Sequence, residues 1–470
     1  MHDSEINQRL QLSKEQMQAL GYRIVDLLVD HFEHLSDSPV AGRGTRPLLE
    51  ARLREPLPEQ PADSEGVLRK LEQDVLPFML HVDHPRFFAF VPSPSNFVSA
   101  MADALAAGLN PFLGTWLGGS GPAQVELITI DWMRQICGLP PETGGLLVSG
   151  GSMANLTALA VARHAKHGEN PGSGVINFSD QTHASIEKGL RVLGFRADQI
   201  RKLPSDKDFR LSPELLGCQI AADRAAGRRP FCVIANAGTT STGAVDPLPE
   251  IARICEDAGL WLHADGAYGV AAALCEQGRA ALTGLEAVDS LSLDPHKWLF
   301  QPFEIGCVLV RDGTLLSDTF RTRPEYMKDA VPAEDEVNLS DRGIQLTRGF
   351  RALKLWMSFK VFGVEAFRRA VAWGIEQAEI AEARLRESPL WEITTAAQLG
   401  VVTFRSTAGD DGFQRKLIDR LAADGFAFLS STTLRGRTVL RLCTINPRTT
   451  ARDIHDTIDR LERFAREETA

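Results

Sequence analysis

The sequence predicts an α/β fold: a large domain on a mostly parallel sheet, with an N-terminal helical segment before it and a small C-terminal α+β domain after it. Three observations carry the expectation. Short apolar runs alternate with helix-period stretches through the middle of the chain, as strands joined by crossover helices do. An amphipathic helix stands ahead of the first such run. Beyond a polar, proline-containing stretch between Arg311 and Arg342, the alternation gives way to long helical patterns and only two strand-like runs.

The first element begins at Ser13, which forms an S-x-x-Q capping box with Gln16. Met17, Leu20, Ile24, Leu27, Leu28, His31 and Leu35 follow at helical spacing. No core precedes this helix, so its apolar face needs another surface, and a partner subunit is one candidate. Residues 36–66 are rich in Pro, Gly and charge and read as an extended connection with one short helix. Buried strands are then expected at Leu146–Ser149, Val175–Phe178, Phe231–Ala235, Leu260–Ala264, Ser290–Leu293 and Gly306–Val310. The Arg311–Arg342 stretch reads as a long loop, and long loops inside compact domains are usually functional or disordered. A helix is expected from Leu346 to Phe362, then strands at Gly400–Phe404 and Thr438–Cys443, with Thr450-x-x-Asp453 capping the last helix. The expected boundaries are 1–80, 81–365 and 366–470.

Composition narrows the partners. A chain of 470 residues is long for one compact core and suits a large domain with satellites. The net charge of -10 disfavours nucleic acid and anionic lipid. No basic n-region leads an apolar run and no segment offers a membrane-spanning length, so no signal peptide or span is expected. Seven scattered cysteines without a C-x-x-C pair exclude the usual zinc spacings and argue for a reducing, cytoplasmic setting, and no metal is expected.

Five features fall directly after predicted strands. Lys297, in Asp294-Pro295-His296-Lys297, ends a buried strand, where apolar surroundings favour the neutral amine that a Schiff base needs. Asp265, in His263-Ala264-Asp265-Gly266-Ala267, ends another, and parallel strands gather their carboxyl ends at one edge. A carboxylate there can keep a pyridine nitrogen protonated. Gly150-Gly151-Ser152 turns a strand into a helix, which offers free amides to a phosphate. His183 opens another helix and can stack on a planar ring, while Gly238-Thr239-Thr240 forms a further turn. One shared cofactor site accounts for all five more economically than five separate structural reasons.

These stretches, with His84-Pro85-Arg86-Phe87-Phe88, Pro295-His296-Lys297-Trp298 and Arg348-Gly349-Phe350-Arg351, resemble the group II pyridoxal-phosphate (PLP) amino-acid decarboxylases, in particular the aromatic-L-amino-acid decarboxylase branch. The resemblance runs from the Ser13 helix to the last helix. It implies a fold-type I, aspartate-aminotransferase-like large domain and a homodimer interlocked through the N-terminal helices. It also implies that Lys297 carries PLP, Asp265 pairs with the ring nitrogen and His183 stacks on the ring. Gly151, Ser152 and His296 then serve the phosphate, with Thr239 and Ala267 beside the cofactor. Tyr326, on the long loop, matches the family residue that protonates Cα after CO2 leaves, and Arg348 falls near the active centre as a candidate substrate residue.

Phe90, Ser93 and Trp116 are the candidates for the substrate side-chain pocket; their aromatic, uncharged character favours an aromatic L-amino acid. Asp294 stands where the branch carries a polar amide near the phosphate. Three alternatives stay open: decarboxylation with oxidative deamination to an aldehyde, a histidine or aliphatic substrate, and a PLP-binding regulator without turnover.

Overall fold

A computed structural model describes residues 10–168, 172–322 and 325–469. In the large domain the strands are β1 (Gly144–Val148), β2 (Gly174–Ser179), β3 (Ile200–Leu203), β4 (Arg229–Asn236), β5 (Trp261–Asp265), β6 (Ser290–Leu293) and β7 (Gly306–Val310). They form a seven-stranded sheet in the order β1-β7-β6-β5-β4-β2-β3. The pairs from β6 through β5, β4 and β2 to β3 are parallel, and β7 runs antiparallel to both β6 and β1. Every residue of β2, β5, β6 and β7 is buried. Both faces are therefore covered, and these strands read as apolar runs rather than as alternations.

Asn236, Asp265 and Ser292 put polar side chains at or near the carboxyl ends of the parallel strands. Asn236 pairs in register with Asp265, and Asp265 with Ser292. This edge is where an open α/β sheet binds its ligand.

The smaller sheet has the order β10-β11-β9-β8, from β8 (Trp391–Gln398), β9 (Val401–Ser406), β10 (Ser430–Leu434) and β11 (Arg437–Cys443), all antiparallel. Strands β3, β8 and β10 escape the sequence pattern, and all three are sheet edges with part-exposed faces. An edge strand has no need of an unbroken apolar run, so its signal is weak.

The two lobes meet through a stretch that the sequence places with the large domain. Phe88 donates to the Phe428 carbonyl at 2.8 Å and accepts from the Cys443 amide at 3.0 Å. Its ring lies in the apolar cluster of the small sheet.

The first helix runs Lys14–His34 with the expected capping box: the Gln16 amide donates to Ser13 Oγ at 3.2 Å and the Ser13 amide to Gln16 Oε1 at 2.9 Å. None of its residues is buried. At the other end the Asp453 amide donates to Thr450 Oγ1 at 3.2 Å, so the expected cap forms as the Ala451–Thr469 helix begins. The helix expected from Leu346 starts later, at Ala352. Its first residues are drawn aside because the Arg348 carbonyl accepts from the Leu113 amide at 3.0 Å.

Candidate active site

The turns after β1, β2, β4, β5 and β6 line one cleft of about 300 Å³. Gly151, Ser152, His183, Thr239, Asp265, Ala267, His296 and Lys297 all border it. The sheet topology alone produces this convergence, since each turn leaves the carboxyl end of its strand, β1 reaching the same edge beside antiparallel β7. A larger cavity, about 760 Å³, opens elsewhere between Trp132, Leu274 and Phe359, and none of these eight residues lines it.

Gly151 begins the Gly151–His167 helix, and no side chain caps that terminus. Its first amides stay available to an anion. A Cβ on Gly151 would stand 3.0 Å from the Ala267 Cβ and 2.8 Å from Asp294 Oδ2, and one on Gly150 would stand 3.2 Å from His296 Cε1. Side chains at these positions would fill the cradle, and glycine keeps it open. His296 Nδ1 hydrogen-bonds the Ile305 carbonyl at 2.7 Å, and burial holds its pKa below the usual imidazole value. With Nδ1 spent as donor, the ring presents Nε2 toward the cleft.

Asp265 is 6% exposed and its two oxygens are separately held. Oδ2 accepts from Asn155 Nδ2 at 3.0 Å; Oδ1 accepts from Ser292 Oγ at 3.3 Å and from the Ala267 amide at 3.2 Å. Behind Asp265 runs a buried polar chain. Trp261 Nε1 donates to Ser290 Oγ at 2.8 Å, Ser290 Oγ lies 2.9 Å from His263 Nδ1, and His263 Nε2 lies 2.9 Å from Asn155 Oδ1. Because Asn155 already donates through its amide, its oxygen accepts, which assigns the His263 proton to Nε2. Burial pulls the His263 pKa down to about 4, so the ring is neutral at pH 7 and the chain is ordered from Trp261 to Asp265. Asn155 and His263 thus belong to the site as positioning residues, a role the sequence reading does not give them. The available signal was the His-x-Asp spacing, which puts both side chains on one face of β5.

His183 caps the Ala184–Val192 helix; its Nδ1 accepts from the Ser185 amide at 3.3 Å and lies 2.8 Å from Ser185 Oγ. The imidazole is otherwise exposed, ready to face a planar ligand. Lys297 Nζ lies 2.8 Å from Asp294 Oδ2. A lysine, a carboxylate held at both oxygens, a glycine cradle at a helix terminus and an exposed imidazole fit a phosphorylated pyridine aldehyde.

The substrate residues fare differently. Arg348 is fully internal: its guanidinium pairs with Glu126 and donates to the Leu147 carbonyl at 2.9 Å, and both charged side chains are 0% exposed. Its role here is to brace β1 behind the glycine turn, and the expectation of substrate contact is corrected. Trp116 begins the Trp116–Ile136 helix and packs on the apolar cluster around Leu113, and it does not border the described cleft. Ser93 is buried with its hydroxyl given to the His296 carbonyl, so it supports the lysine turn. Phe90 is 58% exposed with φ of 49°, its carbonyl accepting from Arg441. The backbone of Tyr326 lies in the short 3-10 turn Glu325–Ala330, and its side chain lies outside the described residues.

Residues 47–407 match the pyridoxal-dependent decarboxylase conserved domain. The chain is 49% identical over 470 residues to an aromatic-L-amino-acid decarboxylase of Bacillus atrophaeus, covering 98% of each protein. It is 30% identical to a phenylacetaldehyde synthase of Arabidopsis thaliana, covering 92% of each. Its fold superposes on the crystal structure of Oryza sativa TDC with PLP and tryptamine, with a TM-score of 0.93 at 29% identity, covering 98% of this chain and 99% of that one.

Proposed function

Because the chain belongs to the pyridoxal-dependent decarboxylase family, we propose that Lys297 carries its PLP and that it converts an aromatic L-amino acid to the amine and CO2. The observation that carries this reading is the meeting of Lys297, Asp265 and the glycine turn in one cleft. The 49% identical aromatic-L-amino-acid decarboxylase supports the substrate class.

When bound, PLP supplies an electron-withdrawing ring that accepts the charge left at Cα. The side chains do the rest. Asp265, oriented through both oxygens, keeps the ring nitrogen protonated. The uncapped helix amides at Gly151 and Ser152 would hold the phosphate, with His296 beside it and able to donate through Nε2 only as the imidazolium. His183 would stack on the ring, and Thr239 and Ala267, which border the same cleft, would lie beside the cofactor. Holding the substrate in one orientation can lower the barrier by roughly 7–11 kcal/mol.

Tyr326 delivers a proton to Cα, which directs the outcome to amine. The 30% identical phenylacetaldehyde synthase gives the second reading a specific basis: the same scaffold yielding an aldehyde. Phe90 contributes to the substrate side-chain pocket, and its exposure in the single chain is the expected state of a wall completed by another copy.

The homodimer belongs to the same proposal. The Lys14–His34 helix buries none of its residues, and Met17, Ile24 and Val29 are 47%, 40% and 43% exposed. A second copy of this helix is the natural cover. Cytoplasmic residence is proposed from seven cysteines that are all unpaired; no helix among the described residues is long and apolar enough to cross a membrane.

The test is incubation of the holo-protein with the twenty amino acids and DOPA, with products identified by mass spectrometry. Aromatic amines are expected. Aldehyde with ammonia and peroxide would favour the second reading, and product only from histidine or aliphatic substrates would overturn the aromatic assignment.

A further inference from the structure

The turn that presents Lys297 also carries a carboxylate facing the wrong way for an anion cradle. Asp294 is 2% exposed, with Oδ2 2.8 Å from Lys297 Nζ and 3.6 Å from His296 Nε2. Its Oδ1 is buried and has no hydrogen-bond partner. A Cβ on Gly151 would lie 2.8 Å from Oδ2, and one on Gly306 would lie 2.8 Å from Oδ1. The carboxylate therefore stands directly against the glycine turn whose amides face the cleft.

The other ionisable groups bordering the cleft are Asp265, His183, His296 and Tyr268. His296 is biased toward neutrality by burial, and Asp265 is a second anion. Lys297 is thus the one lysine or arginine among the described residues lining the cleft, and its Nζ already meets Asp294 Oδ2. A phosphate brings up to two negative charges into the same space. Like charges a few ångströms apart oppose each other strongly where water is scarce.

We infer that Asp294 is a built-in competitor of the cofactor: it neutralises Lys297 in the cofactor-free protein and opposes the phosphate, so that its pairing with Lys297 sets how tightly the cofactor is retained. Asp294 acts here as a positioning residue, through Lys297 and through the field in the cradle. The inference rests on the reading of this cleft as a PLP site.

The measurement is the affinity of the cofactor-free enzyme for inorganic phosphate and for PLP, by calorimetry and by absorbance titration. Counting charge at the Asp294–Lys297 pair orders four proteins. Asp294→Asn leaves the lysine free and should bind phosphate about tenfold more tightly than wild type or better. Lys297→Ala leaves the carboxylate unpaired and should bind it more weakly than wild type. Lys297→Ala/Asp294→Asn removes both charges and should return close to wild type. Asp294→Ser provides a second neutral variant should the Asn protein fold poorly, with the same tightening expected.

A carboxylate that merely anchored the turn would make Asp294→Asn bind phosphate no tighter, and that result overturns the inference. So does a double variant that stays as weak as Lys297→Ala. A wild-type protein that forms no Lys297 adduct with PLP would instead remove the cofactor reading itself, together with everything built on it.

Discussion

Asn155 donates its side-chain amide to Asp265 Oδ2 at 3.0 Å across 110 residues of sequence. Its own oxygen meets His263 Nε2 at 2.9 Å, so one amide fixes the carboxylate and is itself fixed by a buried imidazole. A hydrogen bond to the ionised form of a carboxylate favours that form. Asn155→Leu should therefore lower kcat by about 10- to 100-fold, the usual cost of losing a partner that orients a site ligand. KM should change little, and PLP should bind more weakly. Steady-state kinetics with a PLP titration would show this; an unchanged kcat would remove Asn155 from the site.

The buried Arg348–Glu126 pair predicts a stability effect instead of a substrate effect. Burial raises the Glu126 pKa and lowers that of Arg348, so each ion depends on the other. Arg348→Met strands Glu126 and should cost about 3–5 kcal/mol. Adding Glu126→Leu should recover much of that loss. Denaturant unfolding of both variants tests it, and a single variant as stable as wild type would show that the pair is not structural.

His263 sets a pH prediction. Its folded pKa is about 4, held down first by burial, while the unfolded side chain titrates near about 6.5. Between those values the unfolded chain binds a proton that the folded protein refuses. Stability from this group is complete above the unfolded value and is lost as pH falls toward the folded one. His84, also lowered to about 4 mainly by burial, works in the same direction. Asp246, raised by burial to about 6 from 3.8, works against them from about pH 6 downward, over most of the window. His263→Gln should flatten the fall in Tm between pH 7 and 4.5, by an amount equivalent to at most about 3 kcal/mol. Parallel Tm profiles for the two proteins would show that His263 is not held neutral.

The cofactor edge was legible in the sequence because each of its residues follows an apolar run, and a parallel sheet brings such positions together. Lys297, Asp265, His183 and Gly151 are local in that sense. What stayed illegible depends on contacts between distant segments. Nothing near Arg348 announces Glu126, 222 residues away. The hydroxyl of Ser93 is taken by the His296 carbonyl, 203 residues on. Trp116 shows the same limit: an aromatic at a helix start serves a core or a pocket equally well by pattern. Edge strands such as β10, Ser-Ser-Thr-Thr-Leu, were invisible because their exposed positions are polar.

Tyr326 is the residue proposed to decide between the two products. Its phenol is assigned the proton that ends the reaction at Cα, and phenylalanine keeps the ring without that proton. Tyr326→Phe should shift product from amine toward aldehyde while PLP binding stays as in wild type. Mass spectrometry of the products, with peroxide measured in parallel, reports the change. Unchanged amine output would dismiss the role.

The most direct test treats the holo-protein with borohydride and maps the reduced adduct by peptide mass spectrometry. The cofactor should be found on Lys297 in the wild-type protein and be lost in Lys297→Ala. An adduct on another lysine, or one that survives in Lys297→Ala, would contradict the site proposed for this chain.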